Sequence, residues 1–184
     1  MLSKENNEFL TRVGAGTPMG ELLRRFWFPA LLEEEIAEPD SAPVRVRLLG
    51  EDLVAFKDTD GRVGIVQQHC RHRRASLFFA RNEECGIRCV YHGWKFDVDG
   101  NCVDMPSEPN PSKSLLAKAK ITSYSAEIRG GVVWIYMGPA DKKPARLPEF
   151  EFARLGKMNG AATKRHQYCN WAQAVEGGID SAHI

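Results

Sequence analysis

The chain has 184 residues, 27% of them charged, and a formal net charge of +1 at pH 7. That length is enough to bury a full core, and it favours one complete domain with part of another. The near-neutral charge lacks the basic excess of nucleic-acid and anionic-membrane binders, so we exclude nucleic acid as a partner. The longest strongly apolar run, residues 132–137, is too short to cross a bilayer, so no membrane span is expected.

The N-terminus and the cysteines favour a cytoplasmic protein. The first ten residues mix charged and amide side chains where a secretory signal would be apolar. Five cysteines, an odd number, suit a reducing compartment, where thiols bind metal or stay buried more often than they form bridges. Arg24 and Arg25 resemble a twin-arginine export signal, but the helical pattern upstream argues against export.

The first elements along the chain are a short helix and an antiparallel meander. Thr17 and Pro18 are a typical N-cap and first helical residue, and the leucines that follow are spaced for one buried face. Alternation of apolar and polar residues then predicts strands in "VRVRLL", "DLVAFK" and "RVGIV", which turn sequences separate.

Three later stretches, "GIRCV", "WKFDVDGN" and "GGVVWIYMG", predict further strands, and the second ends in an Asp-Gly turn. The fold class is therefore mostly β. The predicted organisation is an N-terminal helical segment over residues 1–41, the all-β domain over 42–138, a linker over 139–160 and the start of a second domain over 161–184.

The C-terminal stretch has the pattern of an amphipathic helix, loosened at Gly177 and Gly178. The polar residues that share one face of this helix are Gln173, Glu176, Asp180 and His183, with Asn170 at the edge of the same face. On spacing alone, the usual explanation of such a face is contact with water.

Two short pairs of metal-ligand residues lie in the β region. One residue separates Cys70 from His72, two separate Cys89 from His92, and sixteen separate the pairs. An all-β frame can hold two such loops face to face. A tetrahedral zinc site is one interpretation, although paired zinc ligands are usually spaced by two or more residues and keep Cys with Cys. In the other, each loop gives its cysteine to one iron and its histidine to a second, with bridging sulfides.

The stretches "CRH" and "CVYHG", sixteen residues apart, resemble the Rieske family, whose pattern is Cys-x-His, about fifteen to seventeen residues, then Cys-x-x-His-Gly. The resemblance implies a Rieske-type antiparallel β-sandwich that holds a 2Fe-2S cluster. The thiolates would hold the iron that stays ferric and the imidazoles the iron that is reduced. Neutral imidazoles raise the potential above that of an all-cysteine cluster. The extra loop cysteines of the respiratory type are missing, as in oxygenases and soluble Rieske ferredoxins.

Several residues around the two pairs have two interpretations. Arg71, Arg73 and Arg74 form either a solvated turn or a positive surface that stabilises the reduced cluster or helps an electron donor to dock. Trp94 is expected to pack beside the cluster and limit water access. The cysteines interpreted as ordinary buried or loop thiols are Cys85, Cys102 and Cys169.

The resemblance runs from end to end with ring-hydroxylating oxygenases of the phthalate dioxygenase type. The stretches that carry it are "GTPMGELLRRFWFPALL", "PVRVRLLGEDLVAF", "CVYHGWKFDVDGNCVDMPSEP" and "CNWAQAVEGGIDSAHI". It implies that residues 161–184 are the truncated start of an α+β catalytic domain. In that family, two His and one carboxylate hold a mononuclear Fe(II) that activates dioxygen.

By this resemblance, His183 is an iron ligand, and Asp180 carries electrons from the cluster of a neighbouring chain. Asn170 and Glu176 match polar positions around the iron. The family's second His follows about five residues after the first and the carboxylate much later, so this chain is expected to hold an incomplete iron site.

The expected function is the Rieske electron-transfer part of an aromatic-ring oxygenase. The full enzyme would use dioxygen and electrons from a flavin and iron-sulfur reductase to hydroxylate or O-demethylate an aromatic carboxylate such as a phthalate-like compound. The resemblance also implies a homotrimer, or a multiple of one, with head-to-tail contacts. A stand-alone Rieske ferredoxin with an added helix, and a zinc-stabilised interaction module, stay open as alternatives.

Overall fold

The computed structural model describes residues 2–108, 110–154 and 160–183, without the side chain of His183. Its strands are β1 (Trp27–Leu32), β2 (Val44–Leu48), β3 (Glu51–Lys57), β4 (Val63–Gln67), β5 (Arg81–Glu83), β6 (Gly86–Arg88), β7 (Lys95–Phe96), β8 (Cys102–Asp104), β9 (Ser123–Arg129) and β10 (Val132–Tyr136). Its helices are α1 (Lys4–Thr11), α2 (Pro18–Leu23), α3 (Lys113–Ala119) and α4 (Trp171–Ile179). Short 3₁₀ turns lie at Glu33–Ile36, Leu77–Phe79, Ala140–Lys142, Glu151–Arg154 and Ser181–His183.

The strands form two antiparallel sheets. The larger sheet has the order β1-β10-β9-β4-β3-β2, and the smaller has the order β5-β6-β7-β8. The mostly β fold class and the meander of β2, β3 and β4 are therefore confirmed. The short helix α2 is also confirmed, with the Thr17 hydroxyl accepting a hydrogen bond from the Gly20 amide.

Strand β3 divides the core into two layers. Successive strand residues point to opposite faces, so Val54 and Phe56 enter one apolar cluster while Leu53 and Ala55 enter the other. All four side chains are almost completely buried, which explains why apolar residues run continuously through this strand. The cluster that contains Phe56 also contains the cysteines at positions 70 and 89, so the core itself supports both ligand-bearing loops.

Helix α2 is tied to the larger sheet by an ion pair between a buried arginine and a partly exposed glutamate. Arg24, which we had considered as part of an export signal, is buried and lies 2.9 Å from the Glu51 carboxylate. Its guanidinium also donates to the Leu49 carbonyl at 3.0 Å. The Tyr124 hydroxyl donates to Glu51 at 2.6 Å, and burial and this carboxylate raise the pKa of the tyrosine. Arg24 therefore has a structural role here.

Strand β1 lies within residues 1–41, which we expected to be a helical segment. It forms one edge of the larger sheet and pairs with β10. The edge position tolerates Pro29, which has no amide to donate, and the register shifts between Pro29 and Leu31. Strand β9, with its many polar residues, was also not expected.

One further expectation needs correction. The strand expected over "WKFDVDGN" is limited to β7, because the Asp97 carboxylate accepts the amides of Asp99 and Asn101 and so begins a turn. Within residues 139–160, where we expect a linker, Leu147 is buried against Trp27.

The tail helix is shorter than expected. Helix α4 starts after Asn170, whose side chain accepts the Gln173 amide, and it ends at Ile179. Asp180 leaves the helical conformation and accepts the Ala182 amide at 2.9 Å, a local bond that competes with helix continuation. The expectation that the helix continues to residue 183 is therefore wrong. No helix in the described part of the chain is long and apolar enough to span a bilayer.

Candidate functional site

The first loop follows β4 and is closed by two backbone hydrogen bonds. The Cys70 amide donates to the Ala75 carbonyl at 2.9 Å, and the Arg74 amide donates to the Cys70 carbonyl at 2.9 Å. Arg74 has a positive φ of 57°, in the left-handed region that side chains rarely adopt. The side-chain amide of Gln67 anchors the start of the loop by donating to the His69 carbonyl at 2.6 Å.

The second loop, between β6 and β7, repeats this pattern. The Cys89 amide donates to the Trp94 carbonyl at 2.9 Å, and the Gly93 amide donates to the Cys89 carbonyl at 2.9 Å. Gly93 has a φ of 74° and stands at the same place, four residues after the cysteine, as the positive-φ residue of the first loop. Two segments of different sequence therefore form the same local structure.

The two loops bring their thiols together inside the core. Cys70 and Cys89 are both buried, and their side chains lie close enough to hydrogen bond. Burial raises the pKa of Cys70 to about 11. The backbone amides of His72 and Arg73 donate to its sulfur and oppose that shift, because such bonds favour a thiolate.

The two imidazoles lie side by side. The ring centroids of His72 and His92 are 4.6 Å apart, and the planes make an angle of 60°. His72 stacks on the Trp94 indole at 4.6 Å, with 7° between the planes. His92 is exposed and lies 3.8 Å from the Tyr91 ring. The structure therefore places the four predicted ligands in two pairs, one of thiols and one of imidazoles.

One ring nitrogen of the imidazole pair, Nδ1 of His72, is placed as a metal ligand would be. His72 Nδ1 is buried and has no hydrogen-bond partner in the described part of the chain, which is costly for a ring nitrogen unless it coordinates something. Burial, the nearby His92 and Arg73 lower the pKa of His72, which favours the neutral imidazole that metals bind.

The donor arrangement fits a two-iron cluster better than a single zinc ion. Among the described residues, no group of three or more His, Cys, Asp or Glu side chains could hold one metal ion. A 2Fe-2S cluster of the mixed Cys and His type needs only two protein ligands for each iron. Two adjacent pairs satisfy that requirement.

The surface around the loops is apolar and positive. Phe79, Val90 and Tyr91 are large side chains left exposed. The arginine rim, which we define as Arg71, Arg73 and Arg74, is also exposed, and these three side chains form no ion pair with any described residue. This positive charge is therefore free to act on a partner or on the cluster itself.

Sequence reasoning missed Arg88, whose guanidinium donates to the Gly93 carbonyl in the second loop at 2.9 Å. The sequence feature that could have indicated its role is its position at the end of a strand, directly before Cys89. Cys102 was expected to be an ordinary buried thiol, and it lies in the same core cluster as both loop cysteines. Its sulfur donates to the Asp104 carbonyl at 3.6 Å.

The residues expected at a second iron site lie around α4. Asn170 is the N-cap of this helix, Glu176 is exposed on it, and Asp180 follows its last residue. Nine residues separate Asn170 from Asp180, and the ten-residue step between them is about 15 Å along a helix, so these two side chains stand at opposite ends. The side chain of His183 lies outside the described residues.

Comparisons with known proteins show which proteins this chain is similar to. Residues 26–125 match the model of the Rieske [2Fe-2S] domain. The chain is 52% identical over 183 residues to the phthalate 4,5-dioxygenase oxygenase subunit of Pseudomonas putida, a match that covers 100% of this chain and 41% of that protein. It is 45% identical over 184 residues to the 3-chlorobenzoate-3,4-dioxygenase oxygenase subunit of Comamonas testosteroni, covering 100% and 42%.

A third relative is the 5,5'-dehydrodivanillate O-demethylase oxygenase subunit of a Sphingobium strain, 43% identical over 187 residues, covering 100% of this chain and 43% of that one. Among solved structures, dicamba monooxygenase with non-heme iron and dicamba matches at a TM-score of 0.60 and 29% identity, covering 69% of this chain and 38% of that one. The chain thus spans about two fifths of the length of these curated relatives.

Proposed function

Because the chain belongs to the Rieske [2Fe-2S] domain family, we propose that its two loops hold a 2Fe-2S cluster and serve the electron transfer of an aromatic-ring oxygenase. Cys70 and Cys89 would hold one iron, and His72 and His92 the other. The observation that carries the proposal is the buried, unpartnered Nδ1 of His72, placed beside a second imidazole and a pair of buried thiols. Such a cluster accepts one electron from a donor and passes it on.

The protein's own residues define a protected side and an exposed side of this centre. Trp94 covers the ring of His72, and excluding water near a metal centre tunes its potential. The amides that donate to Cys70 stabilise a thiolate ligand. His92 is exposed, so we assign it as the ligand that a partner surface approaches.

The first experiment is a measurement of cluster type. We expect the anaerobically purified and dithionite-reduced protein to give a Rieske-type electron paramagnetic resonance signal, with two irons and two sulfides per chain. Iron, sulfide and zinc are counted on the same sample. Zinc without sulfide or signal would make the two pairs a structural clip and remove the oxygenase proposal with it.

For the complete oxygenase we propose an aromatic carboxylate substrate, which is hydroxylated or O-demethylated with dioxygen. This rests on the relatives, whose names refer to phthalate, 3-chlorobenzoate and dehydrodivanillate. His183 would be one ligand of a mononuclear Fe(II), with Asn170 and Glu176 near that site, and Asp180 would connect it to the cluster of a neighbouring chain. A homotrimer, or a multiple of one, would supply that neighbour.

The Asp180 role separates an oxygenase from a stand-alone electron carrier. In the full-length oxygenase, we expect Asp180→Asn to leave the cluster spectrum unchanged and to slow cluster reoxidation by substrate and oxygen. Asp141→Asn, at an exposed surface position, is the control. Unchanged single-turnover product formation by Asp180→Asn would contradict the bridge role. A stand-alone carrier would instead be reduced reversibly, form no product and not depend on Asp180.

We further propose that the electron donor is a flavin and iron-sulfur reductase with an acidic surface that docks at the arginine rim. The rim is exposed and unpaired within the described residues, so its field can steer a negative partner. We expect Arg71→Gln with Arg73→Gln to slow reduction by the reductase severalfold at low salt, with the difference vanishing at high salt. Arg47→Gln, which removes an exposed arginine already paired with Asp52, is the control. Equal losses in both would exclude a rim-specific contact.

A further inference from the structure

The second loop is held to its sheet by a nearly buried guanidinium. Arg88 is the last residue of β6 and directly precedes Cys89, and only 13% of its side chain is exposed. Its Nη1 donates to the Gly93 carbonyl at 2.9 Å. That carbonyl belongs to the peptide that joins Gly93 to Trp94, one residue after His92. Arg88 lies at the start of the loop and therefore hydrogen bonds to the backbone near the end of the loop.

Carboxylates from β5, on one side of β6, and from β8, beyond β7 on the other side, fix the guanidinium in place. Arg88 Nε donates to Glu83 on β5 at 2.7 Å, and Nη1 donates to Asp104 on β8 at 2.5 Å. Glu84 lies 3.6 Å from Nη2. A planar guanidinium presents several donors in a rigid fork, so contacts in several directions fix both its position and its orientation. The hydrogen bond from Arg88 also lowers the pKa of Glu83.

The first loop lacks an equivalent charged anchor. Its carbonyl at His69 is held by the neutral amide of Gln67, and the amide of Leu77 donates to the Gln68 carbonyl at 2.7 Å. The side chains of the three arginines in that loop are exposed, and among the described residues only backbone groups of the arginines take part in closing it. A buried charge costs free energy unless it is paired, so the pairing of Arg88 with three carboxylates indicates a specific structural task.

We infer that Arg88 is the positioning residue of the second loop and that, through the Gly93 carbonyl, it fixes the turn that presents His92 beside the ring of His72. This inference rests on the proposed cluster and adds a residue to it that no ligand motif contains. Arg88 does not touch the cluster in this assignment. It acts on the ligand geometry, as hydrogen-bonded residues behind metal ligands do.

The test compares two arginines that share one carboxylate. Arg81 also pairs with Glu83, but 65% of its side chain is exposed, so Arg81→Gln is the matched control for Arg88→Gln. In the cluster-loaded chain, we expect Arg88→Gln to release iron to a chelator about 10- to 100-fold faster and to broaden the electron paramagnetic resonance lines. Arg81→Gln should match the wild type in both measurements. A wild-type release rate and spectrum for Arg88→Gln would overturn the inference.

A second variant separates geometry from charge. Arg88→Lys keeps the positive charge but lacks the planar fork, so we expect iron release between the wild-type and Arg88→Gln rates. A wild-type rate and line width for Arg88→Lys would mean that charge alone matters, and it would also overturn the inference.

If Arg88→Gln does not fold, Asp104→Asn tests the positioning role of Arg88 instead. This variant leaves the guanidinium and Gly93 in place but weakens a main anchor of the guanidinium, so we expect faster iron release and broader lines. Asp52→Asn, an exposed carboxylate paired with Arg47, is its control. A wild-type rate for Asp104→Asn would overturn the inference. A wild-type chain without any 2Fe-2S signal would instead overturn the proposed function.

Discussion

The two ligand loops share one backbone pattern and differ in their side chains. Each cysteine amide donates to the carbonyl five residues later, and each cysteine carbonyl accepts the amide four residues later. The residue at the fourth position has a positive φ in both loops, 57° at Arg74 and 74° at Gly93. Hydrogen-bond closure is therefore sufficient to define the local geometry, and different residues can satisfy it.

The side chains give the two loops different environments. In the first loop, His72 is covered by Trp94, and neutral amides hold the backbone. In the second, His92 is exposed, and a charged residue, Arg88, holds the backbone. The comparison shows that a nearly symmetric pair of loops can present one shielded imidazole and one accessible imidazole. In the proposed cluster, the exposed His92 would be the ligand more accessible to a partner.

The largest effect we expect is loss of the cluster from either loop. Cys70→Ser and Cys89→Ser each remove one of the two sulfurs that meet in the core, so both should abolish the 2Fe-2S absorbance and the electron paramagnetic resonance signal. Cys102→Ser is the control, because this buried thiol donates to the Asp104 carbonyl. Its iron and sulfide content should equal that of the wild type. Retention of two irons by Cys89→Ser, or their loss from Cys102→Ser, would refute this ligand assignment.

A smaller effect tests the backbone of the second loop. Gly93→Ala places a side chain at positive φ and puts its Cβ 3.0 Å from the Pro106 ring, so we expect the free energy of unfolding to fall by about 1–2 kcal/mol. Urea denaturation measures it. At Gly177 in α4, a Cβ meets nothing within 4 Å, and alanine there should stabilise the helix by up to about 1 kcal/mol. Equal effects at the two glycines would show that the second loop has no special backbone requirement.

The sequence predicted local features of this site well. The spacing of the Cys and His pairs predicted that two loops would meet, and the imidazole rings of His72 and His92 do lie side by side. Alternation predicted the meander because each of its strands buries apolar residues at a short, regular period. These signals lie within a few neighbouring residues.

Features that depend on distant residues were missed. Arg88 owes its role to Asp104, sixteen residues later, and the two meet only through the pairing of β6, β7 and β8. Pro29 is tolerated in β1 because β1 is an edge of the larger sheet, and no local sequence pattern shows which strand lies at an edge. The end of α4 at Asp180 depends on a side-chain hydrogen bond that competes with the periodic pattern.

A pH dependence tests the core beneath the first loop. Burial raises the pKa of Cys102 from 9.0 to about 11, with the nearby Cys70 adding to the shift. Between those pH values the folded chain keeps a proton that the unfolded chain releases, so stability falls as pH rises from about 9 to 11. We expect Cys102→Ala to make this fall shallower in thermal melts, while Cys169→Ala, at an exposed thiol, leaves it unchanged. A wild-type slope for Cys102→Ala would assign the effect to other groups.

The smallest expected effect concerns Arg74, which occupies in the first loop the position that Gly93 occupies in the second. Arg74→Gly should relieve about 1–2 kcal/mol of left-handed strain and cost about 0.5–1 kcal/mol in chain entropy, so the net gain in unfolding free energy is about 1 kcal/mol or less. Arg74→Ala removes the same charge but keeps the strain, so urea denaturation of the two variants separates backbone from charge. If Arg74→Gly is less stable than Arg74→Ala, the positive φ at this position does not lower the stability of the first loop. If it is more stable, the fourth position is the same structural element in both loops, filled once by glycine and once by an arginine kept despite its strain. That result would be compatible with the docking of an acidic reductase surface at the arginine rim that we propose above.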